Sequence, residues 1–150
     1  MRIDEIMAKY PPEKSYLLMI LHDVQRSSTR NYISEEAMHA VATYLNMPMS
    51  SIYGVVTYYS MLSLKPRGKY VIRVCASPVC ALMQRQNMLE WLQQRLKIEK
   101  GATTPDGLFT VEAAECLGRC GNAPSVMINS DTYTNVDVAR MELLLKELSQ

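Results

Sequence analysis

Four cysteines are the residues of this chain whose type and spacing could do chemistry. Two lie in Cys116-Leu117-Gly118-Arg119-Cys120-Gly121-Asn122-Ala123-Pro124 and two upstream in Val74-Cys75-Ala76-Ser77-Pro78-Val79-Cys80. The pattern is C-x4-C, then 35 residues, then C-x3-C. Two short cysteine loops brought together suit a [2Fe–2S] cluster, a flat rhomb in which each iron needs two protein ligands. Cysteine sulfur is soft and binds as thiolate. The bound cluster stays anionic, so backbone N–H groups must face its sulfurs. Gly118 and Gly121 flank Cys120, and glycine lets a loop take positive φ and bring its amides close.

Other chemistries use cysteine as well. Structural zinc takes four cysteines, but its usual loop is C-x2-C or close to it. A thioredoxin-type dithiol needs C-x-x-C, which is absent. Disulfides need an oxidising compartment, and nothing in the sequence points to export. Four ordinary buried cysteines remain the plain alternative, since Cys is often just a small hydrophobe. Against it stands their grouping in two loops marked by Gly and Pro.

The elements that must position these loops fall into two parts. Across the first, apolar residues recur with helical spacing. A short helix is expected over 2–9, and Pro11-Pro12 opens the next, because the first helical turn does not need the missing N–H. Leu17, Ile20, Leu21 and Val24 form its stripe, and Gln25 to Asn31 reads as a polar loop. Ser34 is a good N-cap, with Glu35 and Glu36 suited to the helix dipole. Met38, Val41, Ala42 and Leu45 follow, then Pro48, and Ser50 or Ser51 caps a helix carrying Ile52, Val55, Val56 and Tyr59.

The boundary falls at Lys65-Pro66-Arg67-Gly68, where the period changes. The expected domains are a helical bundle, 1–64, and an α/β domain, 65–150. In the second part, Lys69 to Val74 is a strand running into Cys75. One helix is expected from Val79 to Leu96, with Leu82, Leu89, Leu92 and Leu96 on one side. Asp106-Gly107 marks a turn, Leu108 to Val111 a strand towards Cys116, Ser125 to Asn129 another, and Asp131 to Asn135 a short return strand. A helix from about Asp137 carries Val138, Met141, Leu144, Leu145 and Leu148. The order βαβββα matches a small thioredoxin-like α/β domain, so the fold class is α+β. Both cysteine loops then follow strand ends and can converge at one edge of the sheet.

The segment from Tyr10 to about Leu148 resembles the small [2Fe–2S] subunit of NADH-quinone oxidoreductases (complex I). That family includes the gamma subunits of NAD-linked formate dehydrogenases and of multimeric flavin-containing hydrogenases. The matching pieces are Tyr10-Pro11-Pro12-Glu13-Lys14, Ile33-Ser34-Glu35-Glu36, Tyr53-Gly54-Val55-Val56-Thr57-Tyr58-Tyr59, the C-x4-C, Thr104-Pro105-Asp106-Gly107, and Glu115 to Pro124. The first cysteine loop, Ala76-Ser77-Pro78-Val79, departs from the family's usual threonine- or glycine-containing loop. The resemblance implies a helical bundle followed by a thioredoxin-like [2Fe–2S] ferredoxin domain. It implies Cys75, Cys80, Cys116 and Cys120 as cluster ligands, with Gly118, Arg119 and Gly121 in the cluster environment. It also implies electron transfer beside a larger flavin- and NAD(P)-binding subunit and further iron–sulfur subunits, with FMN and NAD(P) held by that partner and the helical part helping to hold it.

Composition bounds the rest. Apolar residues make up 48%, enough for a core, and the formal net charge is +1. There is no electrostatic case for nucleic acid. No 18-residue apolar run marks a membrane span, and the acidic N-terminus lacks a signal-peptide apolar region; a cytoplasmic protein is expected. No glycine arrangement makes a G-x-G-x-x-G or a P-loop, so no nucleotide site and no complete catalytic site are expected in this chain. His22 and His39 read as ordinary helix residues, and Met38 and Met141 as core fillers. Arg119 is either a solvated loop residue or a charge that raises the cluster potential. Tyr53, Tyr58 and Tyr59 read as core or domain-packing residues, or as a docking surface. The competing reading from another class is a zinc-stabilised interaction module without a redox role.

Overall fold

The computed structural model describes residues 2–150. The chain divides into two compact units, Met1–Pro66 and Arg67–Gln150.

The first unit is helical: α1 (Ile3–Met7), α2 (Leu17–Ser27), α3 (Glu35–Tyr44) and α4 (Met49–Tyr58). Its core collects Ile6, Ile20, Leu21, Val24, Ile33, Val41, Leu45, Ile52 and Val56. Ile20, Leu21, Val24, Val41, Leu45, Ile52 and Val56 are among those that helical spacing groups on single faces, while Ile33 joins from the segment before α3. Ser34 caps α3 as expected, its hydroxyl accepting from the Ala37 amide at 3.2 Å.

Three local expectations are corrected in this unit. Pro11-Pro12 does not open α2. A short 3-10 turn, Lys14–Tyr16, comes first and α2 starts at Leu17. Tyr10 is anchored: its hydroxyl donates to Asp23 at 2.7 Å, and its carbonyl accepts from the Tyr44 hydroxyl at 2.5 Å. The polar stretch after Val24 is not all loop, since α2 runs on to Ser27. Gln25 is buried there, with both amide groups used: Nε2 donates to the Met61 carbonyl at 2.9 Å and Oε1 accepts from the Ser63 amide at 2.8 Å. A buried polar group with its bonds made behaves as a core residue. Ser50 and Ser51 lie inside α4, whose N-cap is Pro48.

The second unit holds β1 (Tyr70–Cys75), α5 (Pro78–Met83), α6 (Met88–Leu96), β2 (Phe109–Ala114), β3 (Ser125–Ile128), β4 (Asp131–Thr134) and α7 (Val138–Leu148). The sheet order is β2-β1-β3-β4. β1 and β2 are parallel, pairing Tyr70 with Phe109 through to Cys75 with Ala114. β3 runs antiparallel to β1, and β4 antiparallel to β3. On one face Ile72, Val74, Phe109, Val111, Val126 and Ile128 pack with Met88 and Leu92 of α6 and Met141 and Leu145 of α7. The fold is α+β, a helical bundle followed by a thioredoxin-like α/β domain.

β2 is longer than expected, reaching Ala114 under the pull of its pairing with β1. The single helix expected over Val79–Leu96 is two. Gln84 turns extended after α5, and Asn87 starts α6 by accepting from the Leu89 and Glu90 amides at 3.2 and 3.3 Å. Gln84 Oε1 also accepts from the Met88 amide at 3.0 Å. Leu82 consequently leaves the buried side and is 85% exposed.

Gly68 lies where a side chain has no room, because an added Cβ would stand 2.8 Å from the Leu108 carbonyl oxygen and from Phe109 backbone. Gly68→Ala is expected to lower the stability of this unit by about 1–3 kcal/mol. Denaturant unfolding followed by the fluorescence of the single tryptophan, Trp91, checks it; an unchanged midpoint would contradict the packing described.

Candidate iron–sulfur site

The site forms at the carboxyl ends of β1 and β2. Because these strands are parallel neighbours in register, both leave the sheet on the same side, which is where open α/β sheets hold ligands. Cys75 is the last residue of β1, and Cys80 follows in the first turn of α5, opened by Pro78. Cys116 lies just past Ala114, the end of β2, and Cys120 starts a 3-10 turn, Cys120–Asn122. Ser125 then begins β3 at the same end of the sheet.

The sulfurs stand in pairs. Cys116 Sγ is 3.3 Å from Cys120 Sγ. Cys75 and Cys80 pack together with Ala123 and with partly buried Leu117. Cys75 and Cys80 are 2% and 1% exposed, whereas Cys116 and Cys120 lie at the surface, and all four are free of disulfides. Among the described residues no three His, Cys, Asp or Glu side chains group around one metal ion. Two pairs of thiols at one sheet end suit a centre with two metals, each taking two thiolates.

Backbone amides and hydroxyls surround the sulfurs. The Gly118 amide donates to Cys116 Sγ at 3.4 Å. The Cys75 thiol donates to the Ser77 hydroxyl at 3.3 Å, and the Ser125 hydroxyl lies 3.6 Å from Cys80 Sγ, where either group can donate. Burial alone would push the Cys75 thiol up. Bonds from the Ser77 hydroxyl and amide, the Leu117 amide and Cys80 outweigh it and bring the pKa down to about 7. The Leu117 contact links the second cysteine loop to the first. The Cys120 thiol is pushed up, first by its hydrogen bond with Cys116 and that neighbour's charge, then by burial and the charges of Cys80 and Cys75. Thiolates this crowded oppose one another's ionisation, and cationic irons between them relieve it. The donor set therefore fits a [2Fe–2S] cluster.

Gly118 has φ +72°, the left-handed backbone the loop was expected to need. Gly121 does not share it; its φ is not positive, so its place beside Cys120 has no such conformational cause. Arg119 is exposed. His22 and His39 belong to the helical unit and not to this site. Tyr53, Tyr58 and Tyr59 are 52%, 83% and 41% exposed, which removes them from the core. Sequence reasoning missed Ser77, Ser125 and Leu117. Ser77 carried a signal, a hydroxyl two residues past a cysteine, the spacing of local serine hydrogen bonding. Ser125 carried none, because its partner is 45 residues away.

An electron-transfer ferredoxin is the class of protein this sheet and thiol set define. The family described as thioredoxin-like [2Fe-2S] ferredoxin matches residues 3–149, and the chain belongs to it. An NADH-quinone oxidoreductase subunit of Rickettsia prowazekii (strain Madrid E) is 38% identical over 145 residues, covering 96% of this chain and 82% of the relative. The NADP-reducing hydrogenase subunit HndA of Solidesulfovibrio fructosivorans is 32% identical over 143 residues, covering 95% and 82%. Among solved structures, an air-oxidized NAD+-reducing [NiFe]-hydrogenase matches with TM-score 0.76 at 21% identity, over 89% of this chain. The chain spans 23% of the length of that hydrogenase chain.

Gly118→Val is expected to cut cluster content severalfold, because a β-branched residue is strained at this φ. Gly121→Ala should leave content near wild type, since nothing lies within 4 Å of its added Cβ. Iron and sulfide per chain, measured after anaerobic purification, check both. Full occupancy in the valine variant would contradict the role given to the Gly118 turn.

Proposed function

We propose that Cys75, Cys80, Cys116 and Cys120 hold one [2Fe–2S] cluster, and that this chain is an electron-transfer subunit of an NAD(P)H-linked oxidoreductase complex. The observation that carries the reading is the placement of four thiols at one sheet end, with amides and hydroxyls around their sulfurs. When bound, such a cluster supplies a one-electron store. The protein's own contribution is to hold and surround it. β1 and α5 present two buried thiols on a fixed strand end. The Ser77, Leu117 and Gly118 donors offset the negative charge that gathers there. The second loop leaves Cys116 and Cys120 at the surface, which gives a partner close approach on that side.

A hydride carries two electrons, so NAD(P)H oxidation requires a flavin to divide them. On this reading flavin and NAD(P) belong to a larger partner subunit alongside further iron–sulfur subunits. The names of the relatives support such a complex. No described helix is long and apolar enough to cross a membrane, and four free thiols suit the reducing cytoplasm. The exposed Tyr53, Tyr58 and Tyr59 support the helical unit as part of the partner's seat.

The test is anaerobic mixing of NADH or NADPH with the lone chain and with the chain joined to its flavin-bearing partner, following bleaching of the visible absorption. Bleaching is expected within the mixing time for the complex and to be at least 10²-fold slower, order of magnitude, for the lone chain, which lacks the flavin. Rapid bleaching of the flavin-free chain would contradict this division of labour.

A further inference from the structure

Beneath the cysteine site lies a group of charges that cluster ligation does not use. Side chains alternate along a strand, so Arg73 and Cys75 share the face of β1 opposite to Ile72 and Val74, which enter the core. Glu112 of β2 is the register partner of Arg73. Its carboxylate lies 3.2 Å from Arg73 Nε and accepts from Arg67 Nη1 at 3.1 Å. The side chains of Arg67, Arg73 and Glu112 are only 5%, 6% and 22% exposed. Burial lowers the Arg73 pKa, and Glu112 partly restores it. Arginine keeps its proton even so, and two guanidiniums with one carboxylate sum to a single positive charge.

We propose that the Arg67–Glu112–Arg73 group raises the reduction potential of the iron–sulfur site through its net positive charge. The inference rests on the cluster assignment above. None of the three residues is a ligand or a catalytic residue. Reduction by a flavin donor adds one electron, hence one negative charge, to the space between the thiols. Arg73 and Cys75 lie two residues apart on one strand, about 7 Å. At a charge separation on the order of 10 Å and an effective dielectric of about 20, one unit charge changes the ratio of reduced to oxidised centres about tenfold. Buried charges are screened little by salt, so the effect persists at physiological ionic strength.

The experiment is a redox titration of the anaerobically purified full chain, read by visible absorption and electron paramagnetic resonance. Arg73→Gln and Arg67→Gln each remove one positive charge. Each should lower the reduced-to-oxidised ratio at a fixed ambient potential by about tenfold. Glu112→Gln adds one net positive charge and should raise that ratio by a similar factor, while Arg73→Lys should stay near wild type. The opposite signs distinguish a field effect from loosened packing, which would move all variants one way. If one variant takes up no cluster, the others decide. Shifts of a common sign, or none, would overturn the proposal. So would cluster loss in all three neutralised variants, since the charges would then be purely structural. A wild-type chain without a cluster would overturn the ligand assignment instead, which keeps the two failures apart.

Discussion

The proposed cluster site needs four thiolates gathered at one end of the sheet, and the α/β unit is arranged around that constraint. Like charges at short range resist forming together; the Cys120 thiol is pushed up first by its hydrogen bond with Cys116 and next by that neighbour's charge. The fold answers with donors, the Ser77 hydroxyl and amide, the Leu117 amide and the Gly118 amide. It answers also with topology. Two adjacent parallel strands end on the same side of a sheet, so a pair of cysteines after each is brought together by the pairing of β1 with β2. An antiparallel pair would send the two loops to opposite ends.

The two pairs are not equivalent. Cys75 and Cys80 are enclosed with Ala123 and Leu117, while Cys116 and Cys120 face solvent. Enclosure lowers the local dielectric and strengthens every charge and dipole near the site. Exposure gives an electron a short path to another molecule. In the proposed site one wall is enclosed and the other is open to a partner. The break between α5 and α6 serves the same division. It leaves α6 on the sheet core through Met88 and Leu92, while α5 keeps Cys80 beside Cys75.

Much of this was legible in the sequence where the cause is local or periodic. Helical spacing found the bundle core from Leu17 to Val56, and β-rich runs found the strands. The cysteine spacing located the site, and the need for a tight loop anticipated the positive φ of Gly118. What escaped depends on partners far along the chain. Gln25 reads as loop by its polarity, yet Met61 and Ser63 satisfy it within α2. Ser125 and Glu112 gain their places only through sheet register. For Tyr53, Tyr58 and Tyr59 the sequence left packing and docking both open, and only the packed unit shows them exposed. The division of the expected helix over Val79–Leu96 hangs on Asn87 capping α6 from within the stretch.

Chemical analysis of the anaerobically purified chain tests the central claim most directly. The account expects two irons and two acid-labile sulfides per chain with little zinc, because two irons with two thiolates each exhaust the four cysteines. One zinc per chain and no sulfide would contradict it.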